Sequence, residues 1–149
     1  MLNIENGKNI TLTNLVSFRK KMPQEEINIE IEKLGNFLES KGINRNGPMI
    51  TRTLGIEIID NKYNVDMELM IPVDKKTELP QDYEMKDVFQ LTDAVYVRHQ
   101  GNLSNLQDTY NQAIAYMQSN NRIVKSAYNF YINDNDNMDN MIIDVYFIS

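Results

Sequence analysis

The sequence predicts an α+β fold made of two copies of one β-α-β-β unit, and three observations support this. First, residues 16–38 match residues 95–117 when the sequence is shifted by 79 positions. Second, both segments carry apolar residues at the i, i+4, i+7 and i+11 positions of a buried helix stripe. Third, residues 67–73 and 143–149 alternate apolar and mixed side chains, which is typical of half-buried strands.

Each half is expected to contain its elements in the same order. In the first half we predict a strand near residues 10–20, a helix near 24–40 and strands near 48–57 and 63–73. In the second half we predict a strand near residues 86–100, a helix near 103–119 and strands near 125–133 and 140–148. The strand near 86–100 should bend around Thr92–Asp93. The polar segment 74–84 contains Pro80 and should connect the halves, and residues 133–140 should form a polar loop.

We expect a single domain over residues 1–149, with pseudo-repeat halves at about 10–73 and 86–149. Two such halves can join into one antiparallel sheet with both helices on one face. The other face would then be concave between the halves, which is a natural place for a ligand.

Composition and charge exclude several classes of function. The chain has 149 residues, of which 42% are hydrophobic and 24% charged, as in globular proteins. The net charge is −6, so direct nucleic-acid binding is not expected. No apolar run is long enough for a membrane span and no signal peptide is visible, so we expect a cytoplasmic protein. With no cysteine and one histidine, we expect neither a metal site nor a cofactor.

Period-two alternation assigns the residues of two strands to two faces. The residues predicted to lie under the helices are Val65, Met67, Leu69 and Ile71 in the first half and Ile143, Val145 and Phe147 in the second. The opposite face receives Asp66, Glu68, Met70, Ile142, Asp144 and Tyr146. Because that face mixes carboxylates with large apolar groups, it is either an ordinary wet sheet face or a cleft for an amphipathic molecule.

Four segments carry a family resemblance, and they occur in order over nearly the whole chain. They are GPMITR (47–52), MELMIPV (67–73), YVRHQGNLSNLQDTYNQAIAYM (96–117) and SAYNFYINDND (126–136). They resemble the Gly-Pro strand entry, the acidic-then-apolar strand, the H-x-G motif with its helix and the Tyr-Glu-x-Tyr strand of the GyrI-like family. This family is the small-molecule-binding domain of bacterial AraC-type and MerR-type effector-binding modules. The resemblance implies a stand-alone module that binds a small amphipathic or cationic molecule, including multidrug-type ligands, without catalysis.

The face assignment, the repeat and the resemblance together predict a set of ligand-binding residues. Aromatic walls, carboxylates and hydrogen-bonding groups are represented by Phe18, Arg52, Glu68, Tyr96, Asn129, Tyr131, Asp144 and Tyr146. Phe18 could instead lie under the first helix, and Arg52 is expected to pair with one of the carboxylates. Asn129 stands where the family often has glutamate, and an amide carries no charge. This departure weakens cation capture at that position and disfavours a hydrolase.

The single histidine is expected to serve the architecture. His99 ends a strand, Gly101 permits a sharp turn, and Asn102 or Ser104 can cap the following helix. The repeat places Lys20 at the position equivalent to His99. A polar residue at a strand end fits both halves better than a catalytic base does.

An alternative function is that of a protein-interaction module. Some members of the family inhibit a protein partner, as a gyrase inhibitor does, and an acidic surface would suit a basic partner. A deep aromatic cleft would favour the small molecule, whereas a filled or shallow one would favour the protein.

Overall fold

The structure, a computed structural model, describes residues 3–133 and 138–149. Within these residues the chain forms two helices and a mostly antiparallel set of six strands, which confirms the predicted α+β class. The strands are β1 (Ile4–Pro23), β2 (Met49–Ile59), β3 (Lys62–Pro72), β4 (Glu84–Gly101), β5 (Ser126–Tyr131) and β6 (Met141–Ile148). The helices are α1 (Ile27–Ser40) and α2 (Leu106–Ser119), each preceded by a short 3-10 turn. Residues 134–137 of the predicted polar loop lie outside the described residues.

The predicted elements agree with the observed ones to within a few residues, except at the start of the chain. There β1 begins at Ile4, six residues before the strand predicted near residue 10. Residues 4–12 are mostly polar and none of them is buried, so their sequence lacks the apolar alternation by which a half-buried strand is recognised. Neither helix in the described part of the chain is long and apolar enough to cross a membrane.

Contacts divide the chain into two compact units. Unit 1 comprises Met1–Thr11, Pro48–Ile50 and Phe89–Ser149, and unit 2 comprises Leu12–Gly47 and Thr51–Val88. In unit 1, β6 pairs antiparallel with both β4 and β5. In unit 2, β3 pairs antiparallel with β1.

The core of unit 1 consists of the residues predicted to lie under the second helix. Ile143, Val145 and Phe147 of β6 are fully buried, as predicted. They form one cluster with Val95 and Val97 of β4 and with Ala113 and Met117 of α2. The helix therefore covers the odd-numbered face of β6.

In unit 2, three of the four β3 residues predicted to lie under the first helix are buried. Val65, Leu69 and Ile71 of β3 are buried, whereas Met67 is only partly buried. Leu34 and Leu38 of α1 are buried as the second half of its predicted stripe.

Two backbone bends show that the repeat extends to the main chain. Asn14 in β1 has φ 58° and Asp93 in β4 has φ 54°. The two residues are related by the same shift of 79 positions. Asn and Asp tolerate this left-handed conformation better than most residues do. The bend that the sequence predicts at Thr92–Asp93 is therefore confirmed, and it has a counterpart in the first half.

The two helices end in the same way. Gly42 after α1 and Asn121 after α2 both have positive φ, 68° and 59°. The next amide in each case bonds back to the helix, Ile43 N to Leu38 O at 3.0 Å and Arg122 N to Met117 O at 2.9 Å. This is the Schellman arrangement, which satisfies a carbonyl that the helix leaves without a partner.

The β2–β3 hairpin of unit 2 turns at Asp60 and Asn61, both with positive φ, as a two-residue type I′ turn requires. Its strands expose several large apolar side chains toward the turn. These are Leu54, Ile56, Ile58, Ile59 and Tyr63.

Candidate functional site

The carboxylate of Asp144 on β6 accepts three hydrogen bonds from two side chains of β4. The register of β4 against β6 places Arg98 opposite Asp144 and Tyr96 opposite Tyr146. Tyr96 Oη donates to Asp144 Oδ1 at 2.8 Å. Arg98 donates from Nε to Oδ1 at 2.7 Å and from Nη2 to Oδ2 at 3.0 Å. The Asp144 side chain is only 10% exposed whereas that of Arg98 is 48% exposed, so the arginine covers the carboxylate from the solvent side.

The surroundings of Asp144 change the proton affinities of its neighbours. The hydrogen bond to Asp144 raises the pKa of the Arg98 guanidinium above its ordinary value, so this guanidinium stays protonated. Burial, together with the hydrogen bond to Asp144, raises the pKa of Tyr96 to about 12. Burial also raises the pKa of Tyr146. Both phenols are therefore neutral donors or stacking surfaces at physiological pH.

Five aromatic rings of unit 1 form a continuous row beside this carboxylate, and we call them the aromatic row. Its members, in order of contact, are Tyr96, Tyr146, Phe130, Phe89 and Tyr128. The successive ring centroids are 5.1, 4.9, 6.4 and 5.3 Å apart. The pairs are tilted or edge-on, which is the arrangement that aromatic quadrupoles prefer. Phe89 and Phe130 are buried and the three tyrosines are partly buried, so the row is a half-buried apolar strip beside the carboxylate of Asp144.

Strand register explains why these rings share a face. In β5, Tyr128 lies opposite Tyr146 and Phe130 opposite Asp144. Phe89 of β4 has the same odd parity as the core residue Val95, yet its ring contacts Phe130. The left-handed Asp93 lies between Phe89 and Val95 and reverses the alternation, as a bulge does.

Sequence reasoning missed three members of the row, namely Phe89, Tyr128 and Phe130. Of the predicted residues, Tyr96, Asp144 and Tyr146 are brought together in unit 1. The signal for Phe89 was the bend that the sequence predicts at Thr92–Asp93. If the inward and outward alternation of side chains is reversed at this bend, Phe89 falls on the same face as Tyr96.

Two other predicted residues of unit 1 lie on the opposite face. Asn129 is opposite Val145 and Tyr131 is opposite Ile143, both of which belong to the buried core under α2. The Asn129 side-chain oxygen accepts a hydrogen bond from Tyr110 Oη of α2. Asn129 and Tyr131 therefore do not join Asp144, and Asn129 ties a strand to a helix.

In unit 2 the predicted residues Glu68 and Arg52 form an ion pair. Arg52 Nη2 donates to Glu68 Oε1 at 3.1 Å and Lys86 Nζ donates to Oε2 at 3.2 Å. The Glu68 side chain is 12% exposed, so both cations neutralise a largely buried carboxylate. This confirms that Arg52 pairs with one of the two carboxylates.

The remaining candidate, Phe18, is placed apart from these charges. It is buried and lies opposite Leu69, on the face that carries Ile71. Its ring meets Tyr83 edge-on at 5.7 Å, and Tyr83 stacks on Phe37 of α1 at 6.0 Å. This supports the alternative in which Phe18 lies under the first helix.

His99 is engaged on both ring nitrogens. The residue is only 3% exposed, with Nδ1 2.8 Å from Thr109 Oγ1 and Nε2 2.9 Å from the carbonyl oxygen of Asn102. A carbonyl can only accept, so Nε2 carries the proton and Nδ1 accepts from the threonine hydroxyl. The side chain joins the end of β4 to the first turn of α2 and to the connection between them.

The repeat reproduces this link with different chemistry. Lys20 Nζ donates to Glu30 Oε1 at 2.8 Å, again from the end region of a strand to the first turn of a helix. Lys20 and Glu30 are related to His99 and Thr109 by the shift of 79 positions. The predicted structural role of His99 is supported by this equivalence.

A different surface feature lies on the β2–β3 hairpin of unit 2. A depression of about 430 Å³ is lined there by Ile56, Ile59, Val65 and several polar residues. None of the predicted ligand-binding residues lines it. Across residues 3–133 and 138–149, no group of three or more His, Cys, Asp or Glu side chains is placed to hold a metal ion.

The raised pKa of Tyr96 gives a first prediction. Because the folded-state pKa of about 12 exceeds the ordinary value of about 10, the neutral phenol favours folding. That stabilisation is complete below pH 10 and is lost as the pH rises toward 12. In a titration that follows tyrosine ionisation by absorbance, Tyr96→Phe should reduce the absorbance change at the highest pH values, near pH 12. Loss of amplitude from the early stage, near pH 10, would contradict the described environment.

The fold and the site define an α+β module with a half-buried row of aromatic rings beside a carboxylate. The profile of the GyrI-like small molecule binding domain family matches residues 8–147, and the chain belongs to this family. None of the curated proteins matches the chain.

Several solved structures share the fold. The crystal structure of the EcmrR C-terminal domain is 16% identical with a TM-score of 0.76, over 99% of this chain and 96% of that chain. EcmrR in its DNA complex, solved by cryo-EM, is 18% identical with a TM-score of 0.76, over 98% of this chain. The chain spans 56% of the length of that EcmrR chain. A hydrolase from Listeria innocua is 10% identical with a TM-score of 0.56, over 95% of this chain and 90% of that chain.

Proposed function

We propose that this chain binds a small amphipathic molecule on the aromatic row of unit 1, without catalysing a reaction. The observation that carries the proposal is the row itself, five rings in contact beside the largely buried carboxylate of Asp144. Membership of a small-molecule binding family supports it. Whether the ligand lies between the two halves, as the sequence suggests, stays a prediction.

The chemistry of the row defines the kind of ligand. Stacked and edge-on ring contacts contribute about 0.5–1.5 kcal/mol each beyond the burial of apolar area. A ligand with two or three aromatic rings can make several such contacts at once, for a combined gain of about 1–4.5 kcal/mol. A polar or cationic group on that ligand would face Asp144 and its donors Tyr96 and Arg98.

We propose that the chain is not catalytic because His99 and Asn129, the residues considered for catalysis, are both engaged in structural hydrogen bonds. Both ring nitrogens of His99 are occupied by structural partners, so this histidine offers no base to a ligand. Asn129, at the position where the family often has glutamate, is an amide that accepts from Tyr110.

The experiment compares two probes of similar shape, tetraphenylphosphonium and neutral triphenylphosphine oxide, by isothermal titration calorimetry. Tyr146→Ala should weaken binding of each probe at least tenfold, because it removes the ring that joins Tyr96 to Phe130. Tyr63→Ala is the matched control, since Tyr63 is exposed on the hairpin of unit 2, and should leave both affinities unchanged. Equal affinities for the Tyr146→Ala variant and the parent chain, or no binding of either probe, would refute the proposed function.

A second candidate function is protein binding, and the β2–β3 hairpin favours it. Ile56 and Ile58 are 61% and 68% exposed, and contiguous exposed apolar groups often mark interaction surfaces. Sedimentation of the parent chain and of an Ile56→Ser, Ile58→Ser double variant tests whether the hairpin joins copies of the chain. A monomeric parent at all concentrations would count against self-association through the hairpin.

A further inference from the structure

We infer that Arg98 is a built-in competitor for cationic ligands and thereby sets the charge preference of the site. Its guanidinium occupies the carboxylate that a bound cation would otherwise pair with. This inference rests on the proposed function, because it concerns what the aromatic row selects. Removal of Arg98 should convert a site that favours neutral amphipathic molecules into one that favours lipophilic cations.

The geometry shows how completely Asp144 is already engaged. A carboxylate offers about four lone-pair directions, and three are used by the two bonds from Arg98 and the one from Tyr96. The bidentate bonds of 2.7 and 3.0 Å are the strong, charge-assisted kind. A ligand cation must either displace the guanidinium or approach a carboxylate whose charge is already compensated.

The two members of the ion pair differ in their exposure, and this difference makes Arg98 the replaceable one. The Arg98 side chain is 48% exposed, so its head can return to water at little cost. The Asp144 side chain is 10% exposed and cannot regain its hydration in the same way. A largely buried carboxylate without a cation is strongly unfavourable. A variant without Arg98 should therefore bind another cation at Asp144 more readily than the parent chain does.

The Arg98–Asp144 ion pair lies next to the aromatic row, so a change at Asp144 should affect a ligand bound on the row. Tyr96 both donates to Asp144 and stacks on Tyr146, with centroids 5.1 Å apart. An aromatic cation on the row would gain from the faces of these rings as well as from the carboxylate. A neutral ligand of the same shape would gain from the rings alone, so its affinity should depend little on Arg98.

The repeat supplies a control of the same chemistry. Arg19 is related to Arg98 by the shift of 79 positions, and it donates to Asp66 from Nε at 3.0 Å and from Nη2 at 2.8 Å. Its side chain is 58% exposed. Arg19→Met therefore removes one exposed arginine and one bidentate ion pair, with the same change in net charge, in unit 2 rather than beside the aromatic row.

The experiment measures the affinities of tetraphenylphosphonium and triphenylphosphine oxide for the parent chain, Arg98→Met and Arg19→Met by calorimetry. The ratio of the two affinities should shift at least tenfold toward the cation in Arg98→Met. It should change less than twofold in Arg19→Met. A second variant, Arg98→Gln, keeps a hydrogen-bond donor near Asp144 and should shift the ratio in the same direction by a smaller factor. Circular dichroism establishes that each variant is folded.

The outcomes separate this inference from the proposed function. If both probes bind the parent chain and both Arg98 variants leave the ratio unchanged, Arg98 has no role in selection and the binding function stands. An equal shift in Arg19→Met would assign the effect to net charge and also overturn the inference. If neither probe binds the parent chain or the variants, the binding function itself fails, and the inference fails with it.

Discussion

Replacing Phe147 by alanine should lower the free energy of unfolding by about 3–5 kcal/mol, the range for truncating a buried aromatic residue. The ring is fully buried in the core of unit 1 and meets Tyr110 of α2 edge-on at 5.3 Å. Its removal leaves a cavity between the helix and β6. Chemical denaturation followed by circular dichroism gives the value.

Phe37→Ala is the matched control for this substitution. Phe37 is only partly buried on α1 and contacts Tyr83, so the same change in side chain should cost clearly less. Equal losses in the two variants would show that α2 does not cover β6 as the structure describes.

His99→Leu should lower the free energy of unfolding by about 2–4 kcal/mol. Leucine is similar to histidine in size but forms no hydrogen bonds. The substitution therefore leaves the Thr109 hydroxyl and the Asn102 carbonyl without their partner. An unsatisfied buried polar group costs about 1–3 kcal/mol. Denaturation at neutral pH measures the loss.

Lys20→Met tests the equivalent link of unit 2 and serves as the comparison. The Lys20 side chain is 44% exposed and that of Glu30 only 12%, but Lys33 Nζ also lies 3.7 Å from Glu30 Oε1, so this carboxylate keeps a cation when Lys20 is removed. The loss should therefore be much smaller than for His99→Leu. If His99→Leu is as stable as the parent chain, the structural role assigned to His99 is wrong.

The order of elements could be predicted because the repeat is carried by local signals. Helix stripes, the Gly42 and Asn121 helix ends, and the Asn14 and Asp93 bends all depend on residues close in sequence. Such signals survive in each half separately, so the shift of 79 positions aligns them without knowledge of the packing.

The aromatic row could be predicted only in part because its membership depends on strand register. Tyr128, Phe130 and Tyr131 give β5 aromatic residues at both parities, so alternation alone cannot decide which of them face Asp144. The pairing of β5 with β6 decides it, and it places Phe130 rather than Tyr131 opposite Asp144.

Of the cations that hold the two carboxylates, only Arg52 could be predicted from the sequence, whereas Lys86 and Arg98 could not. Glu68 and Asp144 occupy equivalent positions in the repeat, but different cations reach them. Glu68 is held by Arg52 and Lys86, whereas Asp144 is held by Arg98. Which long side chain reaches a carboxylate depends on cross-strand neighbours, and these are fixed by the pairing of distant segments.

The central claim is that the aromatic row of unit 1 is the ligand-binding surface. Its most direct test is a titration of the aromatic ring resonances with triphenylphosphine oxide, followed by two-dimensional NMR. The largest saturable shifts should fall on Tyr96, Phe130 and Tyr146. Shifts largest on Tyr63 of the hairpin, or a saturated complex in which the rings of the row do not shift, would contradict it.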